Sequence, residues 1–122
     1  MILITSNKSK RLLYVSYIGR IQAAEFEDGL VDLKEQLAGL SPGFHLLADL
    51  SQLESMELEC VPGLGRVMEL IGHAGVDFVV RVIPDPHKDI GFNILTIFHY
   101  PQRPQIAVCK NLMEAGKTLG LF

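Results

Sequence analysis

Residues 44–65 run FHLLADLSQLESMELECVPGLG. The first part, FHLLADL at 44–50, is almost continuously apolar and ends in an aspartate. A run that short, preceded by the turn signal Ser41-Pro42-Gly43, reads as a strand buried on both faces of a sheet. Residues 51–59 form a polar, acid-rich loop. Apolar side chains then return at Val61, Leu64, Met68 and Ile71, the spacing of an amphipathic helix that Gly75 stops. A buried strand passing through a loop into a helix is the repeating unit of largely parallel α/β sheets.

The same alternation continues outward. Upstream, residues 1–5 and 11–19 are β-prone runs around the polar turn 6–10, which reads as an opening hairpin. From Ile21 the period changes. Phe26, Leu30, Leu33 and Leu37 line one helical face, Glu25, Asp28, Asp32 and Glu35 the other, and the helix ends near Gly39. Downstream, residues 76–83 (VDFVVRVI) form the next buried strand, closed by Pro84-Asp85-Pro86. A third helix carries Ile90, Ile94, Ile97 and Phe98, apolar over much of its circumference. Residues 105–109 make a last short strand, and residues 111–119 a closing helix with Asn111 as N-cap. The order predicts an α/β sandwich: a small, mixed but mostly parallel sheet covered by about four helices.

Composition sets the outer bounds. A chain of 122 residues, 48% hydrophobic and 20% charged, suits a single domain over 1–122 with an adequate core. The net charge of −3 argues against a nucleic-acid partner, which calls for a basic face. No apolar run reaches the length of a membrane span, and residues 1–4 are too short for a signal-peptide core. Cys60 and Cys109 lack metal-ligand spacing and fit free thiols in a reducing compartment, so the expected location is cytoplasmic.

Patterns that carry chemistry are sparse. There is no dinucleotide fingerprint, Walker loop or nucleophile elbow. Gly63-Leu64-Gly65 falls inside the second helix and reads as close helix packing rather than a phosphate cradle. His45, His73, His87 and His99 are scattered. Asp85, His87 and Asp89 offer metal-ligand types, but a strand stop and a helix start call for the same proline and acids, so no metal is assigned. Cys60 sits at a helix start, which favours a thiolate, beside Glu57 and Glu59, which oppose it. It reads as a small, partly buried thiol that only a spatially close His45 or His73 could activate, and Cys109 reads as core. No catalytic residue and no cofactor are assigned.

The stretch ADLSQLESMELECVPGLG at 48–65 resembles the central motif of STAS domains, the anti-sigma factor antagonist family with the SpoIIAA-like fold. Asp49-Leu50-Ser51 matches the Asp-Leu-Ser-like triplet that ends a buried strand, and Leu53 and Met56 match apolar loop positions. Glu57 falls where the family has an aspartate, Leu58 at its first serine, Glu59 at the phosphorylated Ser/Thr and Cys60 at a glycine. The resemblance implies an α/β SpoIIAA-like (STAS-like) sandwich of bacterial origin and a regulatory switch rather than an enzyme, bound by an anti-sigma-type kinase or similar regulator. In that family a phosphate, adding about −1.5 to −2 charge, releases the partner. With Glu59 in place that switch is lost. Either the carboxylate mimics the phosphorylated state, or the site has decayed to acids that suit a helix N-terminus.

The expected function is therefore a non-enzymatic, protein-binding regulatory domain that docks through Asp49, Ser51, Glu54, Glu57, Leu58, Glu59 and Cys60. The exposed face would extend to Arg66 and Glu69. The alternative is a small-molecule or hydrophobic-ligand binder with a pocket between sheet and helices. A homodimer stays open as well: Leu13, Val15 and Tyr17 share one face of their strand, and Tyr14, Ser16 and Ile18 the other, which helices or a second copy must cover.

Overall fold

In the computed structural model, residues 1–85, 92, 95, 96, 99, 100 and 104–121 are described. The chain runs β1 (Ile2–Asn7), β2 (Leu12–Tyr17), β3 (Gly19–Ile21), α1 (Glu25–Ala38), β4 (His45–Asp49) and β5 (Leu53–Met56). It continues through a 3₁₀ turn (Leu58–Cys60) into α2 (Val61–His73), β6 (Phe78–Val82), β7 (Gln105–Cys109) and α3 (Leu112–Thr118). Phe92, Leu95, Thr96 and His99 are helical, whereas Ile90, Ile94, Ile97 and Phe98 of the expected third helix lie outside the described residues. Against the expected four or so, α1, α2 and α3 are the α-helices with defined bounds among the described residues.

Five strands form the main sheet in the order β1-β2-β4-β6-β7. β1 is antiparallel to β2, and every other pairing is parallel, so the sheet is mixed and mostly parallel as the alternating elements predicted. Cross-strand register places Ile4, Val15, Ala48, Arg81 and Val108 in one row across it. On that face Leu13, Val15, Leu46 and Val79 pack with Phe26 and Leu33 of α1 and Leu64 and Met68 of α2. On the other face Leu47, Val80, Val82 and Cys109 pack with Ala115 of α3. Tyr14 is half-buried there and Ser16 buried. α3 opens on Asn111, whose Oδ1 accepts the Glu114 N–H at 2.9 Å, the cap expected from sequence.

Arg81 is the one charged side chain in the apolar row, and it is 2% exposed. Its guanidinium donates to the Thr96 hydroxyl and lies 6.0 Å from the centre of the Phe92 ring. Desolvating a cation is costly, so these contacts tie the segment carrying Phe92 and Thr96 to the sheet.

Two departures from the expected elements bear on the site. The strand expected over 11–19 ends at Tyr17, because Gly19 at φ +74° turns the chain out of the sheet. The loop expected over 51–59 contains β5, which pairs in parallel with β3 as a separate two-stranded sheet. Only Leu53 and Met56 of β5 are half-buried, too short a pattern to reveal a strand from sequence.

The Gly63-Leu64-Gly65 triplet does serve close packing. A Cβ at Gly63 would lie 2.6 Å from Cγ of Phe26 on α1, and one at Gly65 2.6 Å from Cε1 of His99. No helix among the described residues is long and apolar enough to cross a membrane.

Candidate functional site

β4 delivers Asp49 to the end of its strand, where the side chain is 1% exposed. Its Oδ1 accepts the Ser51 backbone N–H and its Oδ2 the Tyr14 hydroxyl, both at 2.9 Å. The bond to Ser51 is an Asx turn, which bends the chain out of the sheet plane. The Leu53 N–H donating to the Leu50 carbonyl at 3.2 Å then completes the reversal into β5. Burial is the main cause that raises the Tyr14 phenol above its usual range, with the hydrogen bond to Asp49 adding to it. An aspartate in this position shapes the loop and presents no surface to a partner.

The far end of the loop is held by Cys60, which is fully buried. Its thiol donates to the Ile21 carbonyl at 3.4 Å, joining the end of β3 to the start of α2. The Cys60 N–H donates to the Glu57 carbonyl at 2.9 Å and closes the 3₁₀ turn. Burial pushes the thiol up. The backbone hydrogen bond with Glu57 opposes this, and the carboxylates of Glu57, Glu59 and Glu25 reinforce it. The nearest base candidates are elsewhere. His45 begins β4 and pairs with Asp77 at 3.3 Å, while His73 closes α2, about 20 Å along the helix from Cys60. His99 Nδ1 lies 3.1 Å from Glu69 Oε1. Cys60 is a structural thiol, more deeply buried than its sequence setting suggested.

Between these buried anchors, Ser51, Glu54, Glu57, Leu58 and Glu59 face solvent. Asp49 and Cys60, grouped with them on sequence grounds, are corrected to buried supports. Arg66 and Glu69 are exposed on α2. Leu58 is 82% exposed on the 3₁₀ turn and Val61 38% exposed at the first residue of α2. They border a groove of about 420 Å³ whose lining includes Leu53, Met56, Leu64 and Phe92, with Glu54 and Glu57 on its rim. A more polar depression of about 450 Å³ adjoins it, shares Glu54, Ser55 and Glu57, and is bordered by Arg20 and Gln22. Arg20 Nε lies 3.6 Å from Glu54 Oε2 at the surface. Residues 51–65 carry Glu54, Glu57 and Glu59 and no lysine or arginine.

Sequence reasoning did not find Tyr14 as the partner of Asp49, Arg20 as the partner of Glu54, or Phe92 in the groove. The first pairing follows from register: Ser16 stands opposite Asp49, and Tyr14 shares its strand face one pleat away. The others join segments far apart in the chain and leave no local signal.

A second cavity lies inside the core between sheet and helices, lined by Val15, Leu46, Leu64, Met68, Val79 and Arg81 among others. At about 30 Å³ it has room for a water molecule and not for an organic ligand. Among the described residues, no group of three or more His, Cys, Asp or Glu side chains could hold a metal ion. His87 and Asp89 of the acidic loop noted above lie outside the described residues.

The arrangement of sheet and helices has counterparts among solved structures. A DUF3478-family protein with a SpoIIAA-like fold from Shewanella loihica matches with a TM-score of 0.73 at 16% identity, over 98% of this chain and 92% of that one. The anti-sigma factor antagonist SpoIIAA in its unphosphorylated form matches with a TM-score of 0.65 at 14% identity, over the full length of both chains. An anti-sigma factor antagonist from Mycobacterium paratuberculosis matches at 0.60 and 20% identity, over 98% of this chain and 93% of that one. No family model matches the sequence, and neither does any curated protein. The chain has the SpoIIAA-like fold, as the motif resemblance implied.

Proposed function

We propose that the chain acts as a single, cytoplasmic, non-enzymatic regulatory domain that docks a protein partner through residues 51–61 and the start of α2. The observation that carries this reading is Leu58. Leu58, 82% exposed, is continuous with Val61, 38% exposed, and with an apolar groove lined by Leu53, Met56, Leu64 and Phe92, and contiguous exposed apolar surface marks interaction sites. Large side chains that bury fully on contact supply most of the affinity of protein interfaces. The resemblance to STAS domains adds that the corresponding loop in those domains carries the regulatory serine, and that the partner is an anti-sigma-type kinase or a similar regulator.

Position 59 holds a carboxylate, so phosphorylation at that position does not switch the loop. Glu59 is exposed at the mouth of α2 and keeps a permanent charge there, smaller than the roughly −1.5 to −2 of a phosphate. The reading as a container for a hydrophobic ligand gains no support from an interior cavity of about 30 Å³. An enzymatic reading gains none from a buried Cys60 whose thiol is held above its usual range.

Affinity capture from lysate with the wild-type chain and with Leu58→Asp and Glu57→Ala/Glu59→Ala variants tests the proposal. A protein recovered by wild type and lost from the variants is the expected result. Equal recoveries refute docking at this loop.

A further inference from the structure

The apolar groove and its acidic rim define what kind of surface fits, and this step rests on the docking reading above. We infer that the partner presents a large apolar side chain flanked by lysine or arginine, the apolar group seated against Leu58 and Val61 and the cations on Glu54 and Glu57. The groove of about 420 Å³ is wide enough for bulky side chains, and its floor reaches the core at Leu64, 4% exposed. An anchor placed there loses contact with water on its groove side and, once the partner closes over it, on the other, which is the setting in which a single side chain dominates binding.

Charge selects the flanks. Glu54, Glu57 and Glu59 stand along the groove and the 3₁₀ turn, without a cation anywhere in residues 51–65. Arg20 meets Glu54 at 3.6 Å, but both side chains are largely exposed, at 82% and 69%, and such a pair exchanges readily for a better one. An acidic segment would meet the like charge of Glu54 and Glu57, a mismatch that excludes partners as effectively as good contacts attract them. The same argument disfavours a second copy of this chain. A two-fold contact centred on the groove would bring its acidic rim close to the acidic rim of the second copy.

The experiment is selection of a phage-displayed library of random linear peptides on the full-length chain, with counter-selection on Leu58→Asp. Leu58 is exposed, so the variant is expected to keep the wild-type melting temperature, and Val61→Asp provides a second groove variant should it not. Enriched peptides are expected to combine Leu, Ile, Phe or Trp with Lys or Arg. A selected peptide should bind Leu58→Asp at least about 30-fold more weakly, the loss typical of a buried anchor. It should bind Glu54→Gln/Glu57→Gln about 3- to 10-fold more weakly, with a flatter dependence on salt. Apolar peptides without a basic bias, unaffected by the Gln pair, overturn the charge assignment and leave docking standing. Peptides that bind wild type and both groove variants alike, or no enrichment over the variants, overturn the docking reading itself.

Discussion

Replacing Gly63 with alanine adds one methyl group where α2 crosses α1. On an exposed helix that change is stabilising by about 1 kcal/mol, because alanine restricts the unfolded chain and favours helix. Here the new Cβ would sit 2.6 Å from Cγ, 2.8 Å from Cβ and 3.0 Å from Cδ1 of Phe26. Carbon atoms pack at about 3.5–4.0 Å, so roughly 1 Å of movement is required. The clash falls at the root of the Phe26 ring, and the ring is buried at 3% exposure, so no simple ring rotation clears it and the helices must part. Overpacking costs about 1–3 kcal/mol, and a clash this close at a buried helix crossing falls in the upper part of that range, about 2–3 kcal/mol, so that after the helix gain of about 1 kcal/mol the net loss is about 1–2 kcal/mol. Gly29 on α1 supplies the control. Its added Cβ would meet only side-chain atoms of Ile2, at 3.7 and 3.9 Å, which is ordinary contact. Gly29→Ala should therefore stabilise by about 0.5–1 kcal/mol. Urea unfolding of the wild type and both variants measures the difference as a change in midpoint at constant slope. A Gly63→Ala protein as stable as the wild type, or as Gly29→Ala, would falsify the helix-crossing argument.

Other consequences are equally direct. Asp49→Ala leaves the Tyr14 hydroxyl and the Ser51 N–H without their acceptor, and should cost about 2–3 kcal/mol in urea unfolding; a loss under about 0.5 kcal/mol would show that these bonds do not hold the loop. Cys60, buried with its thiol pushed up, should react with a thiol reagent near neutral pH far more slowly in the native chain than in denaturant, and comparable rates would contradict its burial. Burial holds the Tyr17 and Tyr100 phenols above their usual value, Tyr100 up to about 12. The unfolded chain ionises near pH 10, so above about pH 10 the native state keeps protons that the unfolded state has lost, and stability falls as pH rises, by about 1.4 kcal/mol per unit for each group. Urea midpoints at about pH 8 and pH 11 should show this fall, smaller in Tyr100→Phe; a midpoint that does not move would contradict it.

The sheet was legible because its strands are either apolar throughout or cleanly bounded. Residues 44–50 and 76–83 each contain a central strand within a residue or two of its ends. The first two helices were legible because Leu33, Leu64 and Met68 repeat at helical spacing and Gly39 and Gly75 follow them. β3 and β5 were not, since three and four residues offer too little periodicity, and their pairing depends on a chain reversal at Gly19 that only the folded chain reveals. At the candidate site the acids and Leu58 could be located from the motif. Their exposure could not, because burial of Asp49 and Cys60 depends on Tyr14 and Ile21, which lie 35 and 39 residues away in the chain. Sequence reading grouped supports with surface because both occupy the same few consecutive positions.

The β3–β5 pair has a bearing on how the loop can change over time. It fixes the backbone of residues 53–56 through main-chain bonds, while Asp49 and Cys60 fix the two ends from inside the protein. None of these supports uses the side chains of Glu54, Glu57, Leu58 or Glu59. Exposed positions free of such duties tolerate substitution with little effect on stability. A lineage with this chain could therefore trade its acids for bases, or its leucine for an aromatic ring, and acquire a new partner in a few steps without passing through an unfolded intermediate. The scaffold would be inherited while its recognition was rewritten.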